Sequence, residues 1–145
     1  MYDDVLLPTD GSDGTSAATV HAAELAETYD ATVHVLSVAD SRNRFESPTS
    51  GIAPEAWDEE QRKQAEAAID ATVDALPDGV DVKRVLREGV PHEVVVAYVD
   101  EADVDVVVMG THGRTGLDHY LIGSVTEKVV RRSPAPVLSV RLDDD

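Results

Sequence analysis

The feature that most constrains the fold is an apolar run, Val104–Met109, which is interrupted only by Asp105 and stops at Gly110. A strand that is apolar at nearly every position is typical of a central parallel strand, because helices cover both faces of such a sheet. Five strand-like segments alternate with four helix-like segments along the chain. The sequence therefore predicts an α/β fold: a doubly wound, five-stranded parallel sheet with helices on both faces and right-handed crossovers.

The predicted boundaries follow from hydrophobic periodicity and from turn residues. Proline in the first turn favours a helix after Pro91, although Val94, Val95 and Val96 alone would suit a strand. Charged residues in the third strand are typical of a sheet edge. The predicted strands are Asp4–Pro8, Ala31–Val38, Val80–Leu86, Val104–Met109 and Pro136–Leu142, and the predicted helices are one from the Ser12 turn to Tyr29, then Glu55–Leu76, Pro91–Ala102 and Ser124–Arg132.

Composition limits the classes of function. The chain has 29 acidic and 12 basic residues and a net charge of −17, which argues against nonspecific binding to nucleic acid or to an anionic membrane. Cysteine is absent, so disulfides and thiol chemistry are excluded. With neither a membrane-spanning run nor a signal peptide in the sequence, we expect one cytoplasmic domain over residues 1–145.

The basic residues are unusual in kind. Only Lys63, Lys83 and Lys128 are lysines, and the others are arginines. Few lysines among many aspartates suggest a protein from a high-salt cytoplasm, where salt screens the repulsion between surface carboxylates. An ordinary acidic bacterial protein is the alternative.

The loop after the apolar run is rich in glycine, at positions 110, 113, 116 and 123, and a helical pattern begins at Ser124. Such a loop suits a phosphorylated ligand, because glycine lets the backbone approach a phosphate and the N–H groups of a first helical turn point towards it. The spacing is neither a Walker A motif nor a Rossmann fingerprint. The alternative is that the glycines only turn the chain, with Ser124 as the helix cap.

Polar and small residues also follow the first predicted strand. Sheets of this kind bind ligands beyond the carboxyl ends of their strands, where the strand order reverses. The ends richest in small and polar residues are those of the first strand, at 8–11, and of the fourth, at 109–113. If these strands are neighbours, one crevice holds Asp10, the glycine loop and the start of the last helix.

Here the chain resembles the universal stress protein family. The resemblance rests on Pro8-Thr9-Asp10-Gly11-Ser12 together with Gly110-x2-Gly113-x9-Gly123-Ser124, and the family's ATP-binding members carry Gly-x2-Gly-x9-Gly-Ser/Thr. It covers essentially the whole chain and implies strand order 3-2-1-4-5. It also implies a site for ATP, with or without Mg²⁺, formed by Pro8, Thr9, Asp10, Val38, Met109, Gly110, Gly113, Gly123, Ser124 and Val125.

Two further candidates lie in the glycine loop. His112 could contact phosphate or order the loop, and Arg114 could pair with phosphate or remain a solvated charge. Asp10 could bind a nucleoside hydroxyl, a base N–H or, through water, a metal; the alternative is a cap on the first helix, a role for which Ser12 competes. The five histidines show no metal-ligand spacing, and we interpret His21, His34 and His92 as partly buried or exposed residues without a chemical role.

The expected function is that of an ATP-binding stress-response protein that acts as a nucleotide-dependent regulatory dimer. No base with an orienting acid can be assigned, so we expect no enzymatic role. The alternatives are a slow ATPase or phosphotransferase, and a dimeric interaction module that binds no nucleotide. The last strand, Pro136–Leu142, would form a bare sheet edge, and the resemblance implies a homodimer through it.

Overall fold

The computed structural model describes residues 1–40, 54–111 and 123–141. Strands and helices alternate through these ranges in the predicted order. The strands are β1 (Asp4–Pro8), β2 (Thr32–Asp40), β3 (Asp81–Gly89), β4 (Val106–Gly110) and β5 (Val137–Val140), and the helices are α1 (Asp13–Tyr29), α2 (Pro54–Ala75), α3 (Pro91–Glu101) and α4 (Ser124–Arg132). None of these helices combines the length and the apolar character that crossing a membrane requires.

The five strands form one sheet in the order β3-β2-β1-β4-β5, and every neighbouring pair is parallel. β1 is the central strand: Val5 pairs with Val33 of β2 on one side and with Val106 of β4 on the other. The predicted fold and strand order are confirmed. The carboxyl ends of β1 and β4 therefore lie side by side, which is the condition for the single crevice predicted from the sequence.

Each face of the sheet carries its own hydrophobic core. Successive side chains of a strand point to opposite faces, so Val5 and Leu7 pack in the core with α1 and α2, and Leu6 packs in the core with α3 and α4. All three side chains have no exposed surface. Burial on both faces explains why the central strands are apolar at almost every position.

The observed boundaries differ from the predicted ones where strand pairing decides them. β2 and β3 both run further than predicted, because they stay paired as far as Asp40 and Gly89. β4 begins later, because the Val104 N–H donates to the Val99 carbonyl at the end of α3. β5 ends at Val140, and Leu142 lies outside the described residues.

A buried polar group closes the amino ends of the strands, opposite the crevice. His34 is buried at the centre of this group, contrary to the interpretation of it as only partly buried or exposed. The same interpretation is wrong for His92, which is buried in the first turn of α3, at the other end of the strands. His34 Nε2 lies 2.8 Å from Asp4 Oδ1, and His34 Nδ1 lies 2.6 Å from Tyr98 Oη. The carboxylate accepts only, so the Nε2 of His34 carries a proton and donates it to Asp4. Burial raises the pKa of Tyr98, and the nearby Arg87 guanidinium opposes this shift.

Candidate functional site

A cavity of about 420 Å³ opens beyond the carboxyl ends of β1 and β4. Its volume lies within the usual range for small-molecule sites, about 300–1,000 Å³. Three strands, β1, β2 and β4, and all four helices contribute residues to its wall. The residues that line it are Pro8, Thr9, Asp10, Ser12, Thr15, Leu36, Ser37, Val38, Asp40, Gln61, Gln64, Ala65, Pro91, Val95, Met109, Gly110, Gly123, Ser124, Val125 and Thr126.

Every predicted site residue that the structure describes lines this one cavity. They are Pro8, Thr9, Asp10, Val38, Met109, Gly110, Gly123, Ser124 and Val125. The other three predicted residues, His112, Gly113 and Arg114, lie outside the described residues. Chain segments around positions 8, 38, 110 and 124 therefore meet at one place.

The beginning of α4 opens into the cavity without a side-chain cap. The predicted cap, Ser124, is instead the first helical residue, and the N-cap is Gly123, with φ −61° and ψ 153°. The first helical hydrogen bond runs from the Glu127 N–H to the Gly123 carbonyl. Because glycine has no side chain to offer, the N–H groups of Ser124, Val125 and Thr126 have no acceptor within the helix or from its cap. These three donors and the positive end of the helix dipole suit an anion.

Two hydrogen bonds fix the start of α4 against the end of β4. The Gly123 N–H donates to the Thr111 carbonyl at 2.6 Å. The Thr126 hydroxyl donates to the Gly110 carbonyl at 2.8 Å. Thr126 is buried, so this part of the cavity wall is held in place by the protein itself.

Gly110 has a packing role that the sequence did not reveal. A Cβ atom at this position would lie 2.6 Å from the carbonyl carbon of Gly14 in the first turn of α1, and nearer still to its oxygen. Real Cβ atoms essentially never come within 3.0 Å of such backbone atoms. Close approach of α1 therefore requires glycine at this position, whatever the cavity binds.

The turn between β1 and α1 is organised by Asp10. Its Oδ1 accepts hydrogen bonds from the Ser12 N–H at 2.9 Å and from the Thr15 hydroxyl at 3.2 Å. The first of these forms an Asx turn at the entry to α1. Ser12 is the N-cap residue of α1, yet its side chain makes no capping bond. Its buried hydroxyl has no hydrogen-bond partner among the described residues.

Thr9 holds the neighbouring wall. Its hydroxyl accepts from Thr72 at 2.8 Å and from the Gly11 N–H at 3.1 Å, and its carbonyl accepts from the Ser37 hydroxyl at 2.8 Å. Thr9 is itself buried. It therefore joins β1 to β2 and α2, and it positions the adjacent Asp10.

Negative side chains and the positive ends of helix dipoles both face the cavity. Asp10 and Asp40 are its only charged side chains within the described part of the chain. The helices α1, α3 and α4 all begin at the wall, near Ser12, Pro91 and Gly123, and none of the three has a side-chain cap. Positive helix ends beside two carboxylates suit a ligand that carries both anionic groups and hydroxyl or N–H donors. No cluster of three or more potential metal-ligating side chains exists within the described ranges.

Comparison with known proteins identifies the family. A sequence model of the universal stress protein family matches residues 1–141. The chain belongs to the universal stress protein family. Universal stress protein MJ0531 of Methanocaldococcus jannaschii is 34% identical over 146 aligned residues, which cover 97% of this chain and 83% of that protein.

Solved structures agree with this membership. The structure of protein MJ0577 of the same organism has 32% identity and a TM-score of 0.83, covering 100% of this chain and 99% of that one. A universal stress protein in complex with cAMP has 26% identity and a TM-score of 0.74, covering 98% of this chain and 99% of that one.

Several cavity residues of this family member were not predicted from its sequence. Gln61 lies one helical turn before the buried Ala65 of α2, so extending the buried face of this helix backwards would have found it. Gln64 precedes Ala65 directly and follows Gln61 by three residues. Thr126 follows Gly123 by three residues, a spacing at which polar side chains often bond to a helix start. Ser12 and Thr15 carried no signal beyond their position after Asp10.

Proposed function

We propose that this chain is an adenine nucleotide-binding stress-response protein, that ATP is its ligand, and that it acts as a nucleotide-dependent regulatory homodimer. The observation that carries the proposal is the uncapped first turn of α4, which opens into a cavity of suitable size beside Asp10. Family membership and the similar protein in complex with cAMP support an adenine nucleotide as the ligand.

The proposed orientation follows from the chemistry of the walls. Phosphate is bound by the N–H groups of Ser124 and Val125, since an anion gains most at a helix start. The base then lies against the partly buried Val38 at the other end of the cavity, on an apolar surface. Asp10, between these ends, accepts from a ribose hydroxyl or contacts a water of a phosphate-bound Mg²⁺.

We propose binding without catalysis. General acid–base chemistry needs a suitable side chain within hydrogen-bond reach of the reacting group. Of the described lining side chains only Asp10 and Asp40 are ionisable, and no lysine or histidine stands with them. Phosphate release from ATP at a usual enzyme turnover of about 1–10³ per second would favour the ATPase alternative instead.

The dimer is proposed through β5, which lies at one edge of the sheet. Leu138 of β5 and Val130 of α4 are large apolar side chains that are 39% and 47% exposed. Two copies related by a two-fold axis would cover both exposed surfaces and both strand edges in one closed contact.

The nucleotide assignment is tested by replacing Gly123 with valine. The branched side chain would stand at the start of α4 where we propose the phosphate binds, so ATP affinity should fall at least about tenfold, which is about 1.4 kcal/mol. Gly79→Val is the matched control, because Gly79 lies far from the cavity with no atom within 4 Å of an added Cβ. Calorimetric titration in molar KCl measures both. Equal ATP affinity for wild type and Gly123→Val would contradict the proposed site.

A further inference from the structure

One wall of the cavity comes from α2, which packs on β2. Its contribution consists of Gln61, Gln64 and Ala65. Residues at positions i, i+3 and i+4 share one face of a helix, and Ala65 is only 4% exposed. The two glutamines therefore stand together in the cavity wall, on the face that α2 turns towards the sheet.

The strand order separates this wall from the anion-binding donors. β2 and β4 lie on opposite sides of β1. The glutamines of α2 are consequently at the β2 end of the cavity, near Val38, and the first turn of α4 is at the β4 end. A nucleotide whose phosphate lies at α4 must present its base to the β2 end.

We infer that Gln61 and Gln64 recognise the edge of the purine base and favour adenine over guanine. This inference rests on the proposed nucleotide binding and adds to it the residues that select the base. A carboxamide offers a donor beside an acceptor. Adenine presents its 6-amino donor beside the N7 acceptor, whereas guanine presents two acceptors, O6 and N7, at the same edge. A carboxamide can satisfy both atoms of adenine and only one of guanine.

The apolar part of the base end cannot supply this discrimination. The Val38 side chain offers the same apolar contact to either purine, because the two rings have nearly the same shape. Among the described side chains at this end, the paired carboxamides combine donors with acceptors without carrying a charge. Asp40 also lines this end, and as a carboxylate it accepts only.

The test compares ATP with GTP by calorimetric titration of the full chain in molar KCl. The variants are Gln61→Met, Gln64→Met and the double variant, since methionine keeps the length of the side chain and removes the carboxamide. Lys63→Met is the matched control, because Lys63 is an exposed residue between the two glutamines on the same helix. Thermal melts confirm that each variant is folded.

For the wild type we expect tighter binding of ATP than of GTP. The double variant should lower the ratio of the two affinities about tenfold, a value within the range for one bidentate base contact, and Lys63→Met should leave it unchanged. An unchanged ratio in the double variant overturns the inference even if both affinities fall, because the glutamines would then contact the sugar or the phosphate. A wild type that binds neither nucleotide refutes the proposed function itself, which is a different result.

Discussion

Replacing Gly110 with alanine is expected to destabilise the protein by displacing the first turn of α1. The added Cβ would lie 2.6 Å from the Gly14 carbonyl carbon, whereas ordinary van der Waals contact begins near 3.4 Å. The obstacle is backbone rather than the end of a flexible side chain, so the helix start must move by roughly 0.8 Å. The same turn carries Thr15, which holds Asp10 at the cavity.

Overpacking of this kind costs about 1–3 kcal/mol. In a chain of this size each kcal/mol lowers the Tm by about 2–4 °C. The expected loss is therefore about 2–12 °C, measured by thermal unfolding in molar KCl and checked by urea titration.

The matched control is Gly79→Ala. An added Cβ at Gly79 meets no atom within 4 Å, so this variant should be neutral, or more stable by about 0.4–1 kcal/mol through its effect on the unfolded chain. If Gly110→Ala melts within 1 °C of wild type while Gly79→Ala behaves as expected, then the close packing of α1 on β4 is not what requires glycine at position 110.

Three other predictions concern assembly, salt and pH. The Thr111 N–H donates to the Val140 carbonyl, so the backbone groups of Val140 point towards β4 and those of the adjacent Ser139 point to the open edge of the sheet. Ser139→Pro should therefore shift the protein towards monomer in light scattering at high salt, with Ser139→Ala as control. A monomeric wild type at micromolar concentration would disprove the dimer. Because the net charge is −17, the Tm should rise by many degrees from dilute buffer to molar KCl, and an unchanged Tm would remove the high-salt interpretation. The raised pKa of Tyr98 adds stability that is present below its ordinary pKa of about 10 and is lost as the pH rises through the raised value. The difference in unfolding free energy between wild type and Tyr98→Phe should therefore shrink at alkaline pH. A constant difference between pH 8 and pH 12 would contradict this.

The sequence predicted the architecture because its signals are local. Apolar β-branched runs mark the strands, and helical periodicity marks the helices, as with Ala65 and Ile69 on the buried face of α2. Element ends were less accurate where a partner decides them: β3 reaches Gly89 because Asp40 of β2 pairs with it. Neither Asp40 nor Gly89 indicates by itself where its strand ends.

The candidate site divides in the same way. Asp10, Gly123 and Ser124 were found because they belong to contiguous motifs of recognisable spacing. The packing of Gly110 on Gly14 could not be predicted, since it depends on how closely α1 approaches β4 in three dimensions. Gln61 escaped notice for a related reason: the sequence indicates which face of α2 is buried but not how far along that face the cavity extends.

The central position of β1 has a consequence for how the protein is made. β1 is synthesised before the other four strands, but its partner on one side, β4, begins at Val106. At about 5–20 residues per second, a ribosome needs roughly 5–20 s to make the intervening hundred residues. During that time β1 can pair with β2. The backbone edge of β1 that will later pair with β4 remains open to other chains, beside the apolar side chains of Val5 and Leu7. Newly made chains should therefore depend most on chaperones before β4 emerges, and chains truncated before Val106 should aggregate rather than fold.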